Sequence, residues 1–386
     1  MTMNINRRVE SIPPSGIRVF FDLVLGMKDV ISLGVGEPDF PTPWGIRESA
    51  IYAIEEGYTS YTSNKGMREL RHDISKFLKH RYKLDYNPEE EILITVGVSE
   101  ALDLAVRALI NPGEKVLIPE PSYVSYSPIV SLCGGDPVLV KTSTENGFKI
   151  KPKDIARSCD SKTKAIILNY PNNPTGASYS RRELAGIAKA VSSHKLTMLS
   201  DEIYCELTYD FSHTSFPALP GMKERTIYLN GFSKAYAMTG WRIGYACGPK
   251  EAIAAMTKIH QYTMLCAPIV AQIAAREALK NGEKPLHEMK REYKRRRDYL
   301  VQALNEIGLE CHTPEGAFYV FPSIRSTGLS SMDFAKKLLK SQKVAVVPGE
   351  AFGPSGKGYI RISYASSMDN LREAVTRMKR FLEGKT

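Results

Sequence analysis

The chain has 386 residues, enough for about two or three domains. Its 43% hydrophobic and 24% charged residues describe an ordinary globular protein, and no apolar run approaches the roughly 20 residues of a membrane span. The net charge of +10 suits anionic small molecules; its densest cluster, residues 290–297, interleaves acidic and apolar residues at helical spacing and reads as a solvated helix face rather than a nucleic-acid interface.

Residues 1–10 are polar, carry Arg7 and Arg8, and lack the apolar segment of a secretory signal. Next, Gly34-Val35-Gly36 suggests a dinucleotide fingerprint, but Asp39 stands where its third glycine is required. Short β-rich runs follow at 92–96, 115–118, 138–140, 165–168, 196–199, 226–229 and 243–246, alternating with helical patterns such as 181–191. That alternation predicts an α/β fold, a mostly parallel central sheet sandwiched by helices. After about Pro285 the pattern changes to a long charged helix, runs at 318–321, 344–347 and 359–363, a helix near 332–340 and a last helix from about 368. These predict a smaller α+β domain. The six cysteines, at 133, 159, 205, 247, 266 and 311, are scattered without a C-x-x-C pair. This argues against a metal site or a disulfide scaffold and for reduced thiols in a cytoplasmic protein.

Ligands of such sheets sit at the carboxyl ends of strands. Asn173, Asp201 and Lys234 each lie just past the end of a β-rich run. Lys234 follows Ser233 and precedes Arg242 by eight residues. An amine that can condense with an aldehyde, beside a hydroxyl and a guanidinium fork that can hold a phosphate, suits pyridoxal 5'-phosphate. A phosphate also fits where a strand opens into a helix, and Gly97-Val98-Ser99 does so after the run 92–96. Val98 and Ser99 offer backbone donors there, and Ser99 a hydroxyl.

Asn173 in Asn-Pro-Thr-Gly, Asp201 and Tyr204 in Ser-Asp-Glu-Ile-Tyr, Lys234 and Arg242 in residues 231–242, and Arg361 in Tyr-Ile-Arg-Ile-Ser occur in a distinctive order. With these motifs the chain resembles the class I aminotransferases of PLP fold type I, from Gly34 to the final helix. It looks closest to the prokaryotic aspartate, aromatic and acetyl-diaminopimelate subgroup. The resemblance implies a large PLP-binding domain at 48–285 and a small discontinuous domain formed by 1–47 and 286–386. Lys234 would hold the cofactor and shuttle the proton, and Asp201 would partner the pyridine nitrogen. Asn173 and Tyr204 would bind the ring oxygen, Tyr123 would stack on the ring, and Val98, Ser99, Ser233 and Arg242 would take the phosphate. Tyr61 would reach the phosphate of a partner subunit, implying a homodimer with shared active sites. Arg361, with Gly36 and Asn173, would grip the substrate α-carboxylate.

One departure bears on substrate. Aspartate-specific members of the subgroup often carry a lysine where this chain has Ser99. The expectation is therefore transfer from an aromatic or broad range of L-amino acids to 2-oxoglutarate, with Ile17 and Phe20 as apolar walls if the N-terminal segment folds over the site. Aspartate, alanine or N-acetyl-LL-diaminopimelate transamination and a PLP-dependent lyase remain as alternatives. A PLP-dependent transcription regulator is disfavoured, because about 35 residues before the resemblance are too few for a DNA-binding module.

Overall fold

The computed structural model describes residues 3–14, 16 and 27–384. Its strands, in chain order, are β1 Ile31–Ser32, β2 Ile92–Thr95, β3 Lys115–Glu120, β4 Asp136–Lys141, β5 Thr163–Asn169, β6 Thr197–Asp201, β7 Thr226–Gly231, β8 Gly244–Cys247, β9 Tyr319–Val320, β10 Val344–Ala345, β11 Val347–Pro348 and β12 Ile360–Ser363. Seven of them form one sheet in the order β2-β8-β7-β6-β5-β3-β4. Strands β4, β3, β5, β6 and β7 run parallel; β8 is antiparallel to both β7 and β2. The predicted mostly parallel sheet is thus the observed one.

Its central strands are buried along most of their length and apolar at their middles because helices cover both faces. On one face Ala165 and Ile167 of β5 join Leu199, Ile227 and Ala246 beneath the helices Gly97–Leu109 and Lys250–Thr263. On the other, Ile166 and Leu168 join Leu117 and Met198 against Leu184, Ile187 and Val191 of the helix Arg181–Ser193. Strand alternation alone therefore feeds two cores from one run. Ser180 starts the latter helix with a capping box, accepting from the Glu183 amide while Glu183 accepts from its own.

A second, antiparallel sheet has the order β11-β12-β9, and β1 pairs with β10. The 24-residue helix Glu283–Glu306 leads into it. Residue 285 lies in that helix's first turn, and residues 47 and 48 lie inside the helix Trp44–Glu55, so both expected domain limits fall within helices.

The basic run departs from the sequence reading. Arg296 and Arg297 are buried, not solvated. Arg296 Nη1 donates to both Asp39 carboxylate oxygens at 2.8 Å, and Arg297 Nη1 donates to Asp210 Oδ2 at 2.6 Å and to the Pro314 carbonyl at 3.0 Å. Buried guanidinium groups require such partners, and here the remote Asp39, Asp210 and Pro314 add to the local carboxylates Glu292 and Asp298.

Candidate active site

Three neighbouring strands deliver their carboxyl ends to one place. Strand β6 ends at Asp201, which is 6% exposed. Its Oδ2 accepts from the Tyr126 hydroxyl at 2.6 Å and its Oδ1 from the Ile203 amide at 3.2 Å. Burial pushes its carboxyl up to about 6, against these donors. Strand β5 ends at Asn169, whose amide donates to the Asp201 carbonyl at 3.0 Å and whose Oδ1 accepts from the Asn173 amide at 2.9 Å. The following turn closes on Gly176, at φ +68°, where a Cβ would lie 2.3 Å from Pro314. That turn aims Asn173 Oδ1 at Arg361 Nη1, 2.9 Å away.

Strand β7 ends at Gly231, three residues before Lys234. Lys234 Nζ donates to the Gly36 carbonyl at 2.7 Å and lies 5.8 Å from the ring centres of Tyr204 and Phe318. Burial, with Arg361 and Arg242 adding repulsion, brings its ammonium down to about 8, although Glu37 and Asp201 oppose the shift. At about 8 the amine is about one-tenth neutral at pH 7, where an unshifted lysine is almost wholly protonated.

The helix Gly97–Leu109 begins beside this loop without a side-chain cap. A Cβ on Gly97, at φ +76°, would come within 2.6 Å of Arg242 Nη2, so the guanidinium rests directly on the helix start. A Cβ on Gly244 would lie 2.7 Å from the Val98 amide. Glycines at 97 and 244 therefore let strand, helix start and cation crowd together. Free amides at a helix N-terminus beside a guanidinium form an anion cradle. Ser99 is exposed in that first turn and Ser233 is buried in the lysine loop.

Arg361, on β12, is 2% exposed. Besides Asn173, it donates from Nη2 to the Gly34 carbonyl at 2.5 Å; its Nε is buried without a partner among the described residues. Its guanidinium stacks 4.5 Å from the Tyr319 ring centre and 4.9 Å from that of Phe352. Tyr204 and Tyr319 share a 2.9 Å hydroxyl–hydroxyl hydrogen bond. Gly36 is confined too, since a Cβ there would meet the Tyr319 hydroxyl at 2.8 Å.

Tyr123 is half-buried and meets Tyr126 edge-to-face, with ring centres 5.6 Å apart. Tyr61 is 83% exposed on the surface of the single chain. Ile17 and Phe20 lie outside the described residues. Sequence reasoning missed Tyr126, Tyr319 and the Gly34 carbonyl. Only Tyr126 left a signal, an aromatic three residues after Tyr123.

The family model for "Aminotransferase class I and II" matches residues 28–378. The aminotransferase-family protein YugH of Bacillus subtilis (strain 168) is 56% identical over all of both chains. An aspartate aminotransferase of Pyrococcus abyssi is 45% identical, with 99% of each chain covered. The crystal structure of an aromatic aminotransferase from Pyrococcus horikoshii superposes with a TM-score of 0.91 at 44% identity, covering 95% of this chain and 99% of that one. With its sheet and these relatives in agreement, the chain belongs to the class I and II aminotransferases and is a transaminase.

Proposed function

We propose that this enzyme transfers the amino group of an L-amino acid, from an aromatic or broad range, to 2-oxoglutarate with pyridoxal 5'-phosphate as cofactor. One observation carries the reading. Lys234 Nζ and Arg361 Nη2 converge on carbonyls two residues apart, Gly36 and Gly34. An amine that exchanges protons and a guanidinium that binds a carboxylate are then neighbours, as the two substituents of an α-amino acid are.

The residues present fit the cofactor. Its ring would lie between the buried carboxylate of Asp201 and the Lys234 amine, with its phosphate on the uncapped amides of Val98 and Ser99 under Arg242, and Ser233 alongside. When bound, it supplies an aldehyde for amine exchange and an electron-withdrawing ring. Asp201 holds a proton on the ring nitrogen. Tyr204 and Asn173 steady the ring oxygen, and Tyr123 covers one ring face. Lys234, its ammonium brought down to about 8, carries the proton to and from the substrate Cα. Arg361 exchanges its internal carbonyl partners for the substrate carboxylate in a bidentate pair. Gly36 and Asn173 line that exchange.

Substrate choice rests on charge. Lys234, Arg242 and Arg361 are committed in turn to amine, phosphate and α-carboxylate, and Ser99 supplies no cation at its position; the distal carboxylate of 2-oxoglutarate still calls for some side-chain carboxylate recognition, but not for a preference for aspartate as donor. An aromatic side chain needs apolar walls instead. A homodimer with shared sites fits the exposed apolar side chains of Trp44, Tyr52, Ile54, Tyr58, Tyr61 and Tyr262. Asn64, donating to the Leu265 carbonyl at 2.8 Å, ties the two segments carrying them. Among the described residues no helix is long and apolar enough to cross a membrane, and we assign the enzyme to the cytoplasm.

The test is kcat/KM for phenylalanine, tyrosine, aspartate, alanine and N-acetyl-LL-diaminopimelate with 2-oxoglutarate as acceptor. Aromatic donors should equal or exceed aspartate. An aspartate preference of about a hundredfold, roughly 2.7 kcal/mol of discrimination, would overturn the charge argument. Elimination without an oxo-acid acceptor would indicate a lyase.

A further inference from the structure

We propose that Tyr126 is a positioning residue for the cofactor ring, its hydroxyl holding Asp201 and its own ring propping Tyr123. The inference rests on the ring contacts just assigned to those two residues.

Tyr126 is 1% exposed and opens the short helix Tyr126–Leu132, its amide donating to the Tyr123 carbonyl at 3.2 Å. Its hydroxyl is the one side-chain donor to the Asp201 carboxylate among the described residues; the other donor is the Ile203 amide. At 2.6 Å the bond is short, as charge-assisted O–H···O⁻ bonds are. A hydroxyl donated to a carboxylate favours its ionised form. Burial favours the neutral form, and the nearby Glu202 carboxylate adds to it. Tyr126 therefore works against desolvation where an ionised carboxylate is needed to keep a ring nitrogen protonated. Burial drives its own phenol well above the ordinary range, so it remains a donor across any working pH.

The second contact is steric. The Tyr123 and Tyr126 rings meet at 78°, an edge-to-face arrangement that limits rotation of Tyr123 about its stem. One buried side chain thus sets both an edge contact and a face contact of the ring. Neither follows from helix formation, since residues 126–132 would form the same turn with phenylalanine at 126.

The experiment uses holoenzyme reconstituted with cofactor labelled with 15N at the ring nitrogen. In Tyr126→Phe the 15N resonance should move from the protonated toward the unprotonated position, and kcat should fall about tenfold or more, the scale of one hydrogen bond to a charged group. KM for the amino donor should stay within about twofold, because Arg361 is untouched. Tyr126→Leu should in addition change the visible circular dichroism of the cofactor, as Tyr123 loses its prop. Incorporating 3-fluorotyrosine at 126, a stronger donor of nearly the same shape, should move the 15N resonance further toward the protonated position; it tests the same bond if the phenylalanine variant fails to fold. An unchanged 15N position in Tyr126→Phe, or a resonance that 3-fluorotyrosine does not move further toward the protonated position, overturns the proposal. Asp201→Asn separates the two readings. If it moves the resonance and Tyr126→Phe does not, Tyr126 alone is misassigned; if it too leaves the resonance unmoved, Asp201 is not the ring partner.

Discussion

Burying the Lys234 ammonium costs stability, and the cost is measurable as a pH-dependent gain in Lys234→Met. The lowering from 10.5 to about 8 corresponds to about 3 kcal/mol at pH 7, at about 1.4 kcal/mol per pKa unit. Methionine keeps an unbranched stem but forfeits the 2.7 Å bond to the Gly36 carbonyl, worth about 1 kcal/mol. The cofactor-free variant should therefore be more stable than cofactor-free wild type by about 2 kcal/mol at pH 7. The sign with pH follows from proton counting. Between about 8 and 10.5 the unfolded lysine holds more protons than the folded one, so wild-type stability gains on the variant as pH rises. At pH 9.5 the burial cost falls to about 1.4 kcal/mol, and the difference nearly closes. Urea unfolding of both proteins at the two pH values reads this directly. A variant less stable at both, or a difference unmoved by pH, would refute a depressed, desolvated amine.

Asp201→Ala should fold and retain cofactor through the phosphate cradle, yet lose most turnover; near-wild-type kcat would falsify its role. Arg361→Lys should lower kcat/KM about a hundredfold, because an ammonium cannot reproduce the planar fork facing Asn173 and Gly34. A change confined to kcat would argue that Arg361 does not bind substrate. Mixing inactive Tyr61→Ala with inactive Lys234→Ala subunits should restore part of the activity, since one hybrid site keeps both residues. No recovery from demonstrated heterodimers would count against shared sites.

What could be read from the chain divides along physical lines. Lys234, Asp201 and Asn173 were legible because each follows an apolar strand, and strand ends in a parallel sheet converge. Tyr126 and Tyr319 were not, since their hydroxyl partners lie 75 and 115 residues away and no local period encodes such a meeting. The run 115–118 ends too early for a related reason. Pro119 suggests a strand end, yet β3 continues to Glu120, because beyond Leu117 it is paired only with β4 and the missing amide interrupts no bond to β5. Arg296 and Arg297 matched the pattern of a solvated face, and only the fold brings Asp39 and Asp210 to them. Tyr61 entered through family resemblance alone; on one chain it is a bare surface tyrosine.

On the proposed function Lys234, among the many lysines of this chain, is the cofactor's covalent anchor. Borohydride reduction of the purified holoenzyme, followed by proteolysis and mass spectrometry, tests it most directly. A single pyridoxyl-modified peptide carrying Lys234 is expected, and none in Lys234→Ala. Modification of a different lysine, or an unmodified Lys234 in active enzyme, would contradict it.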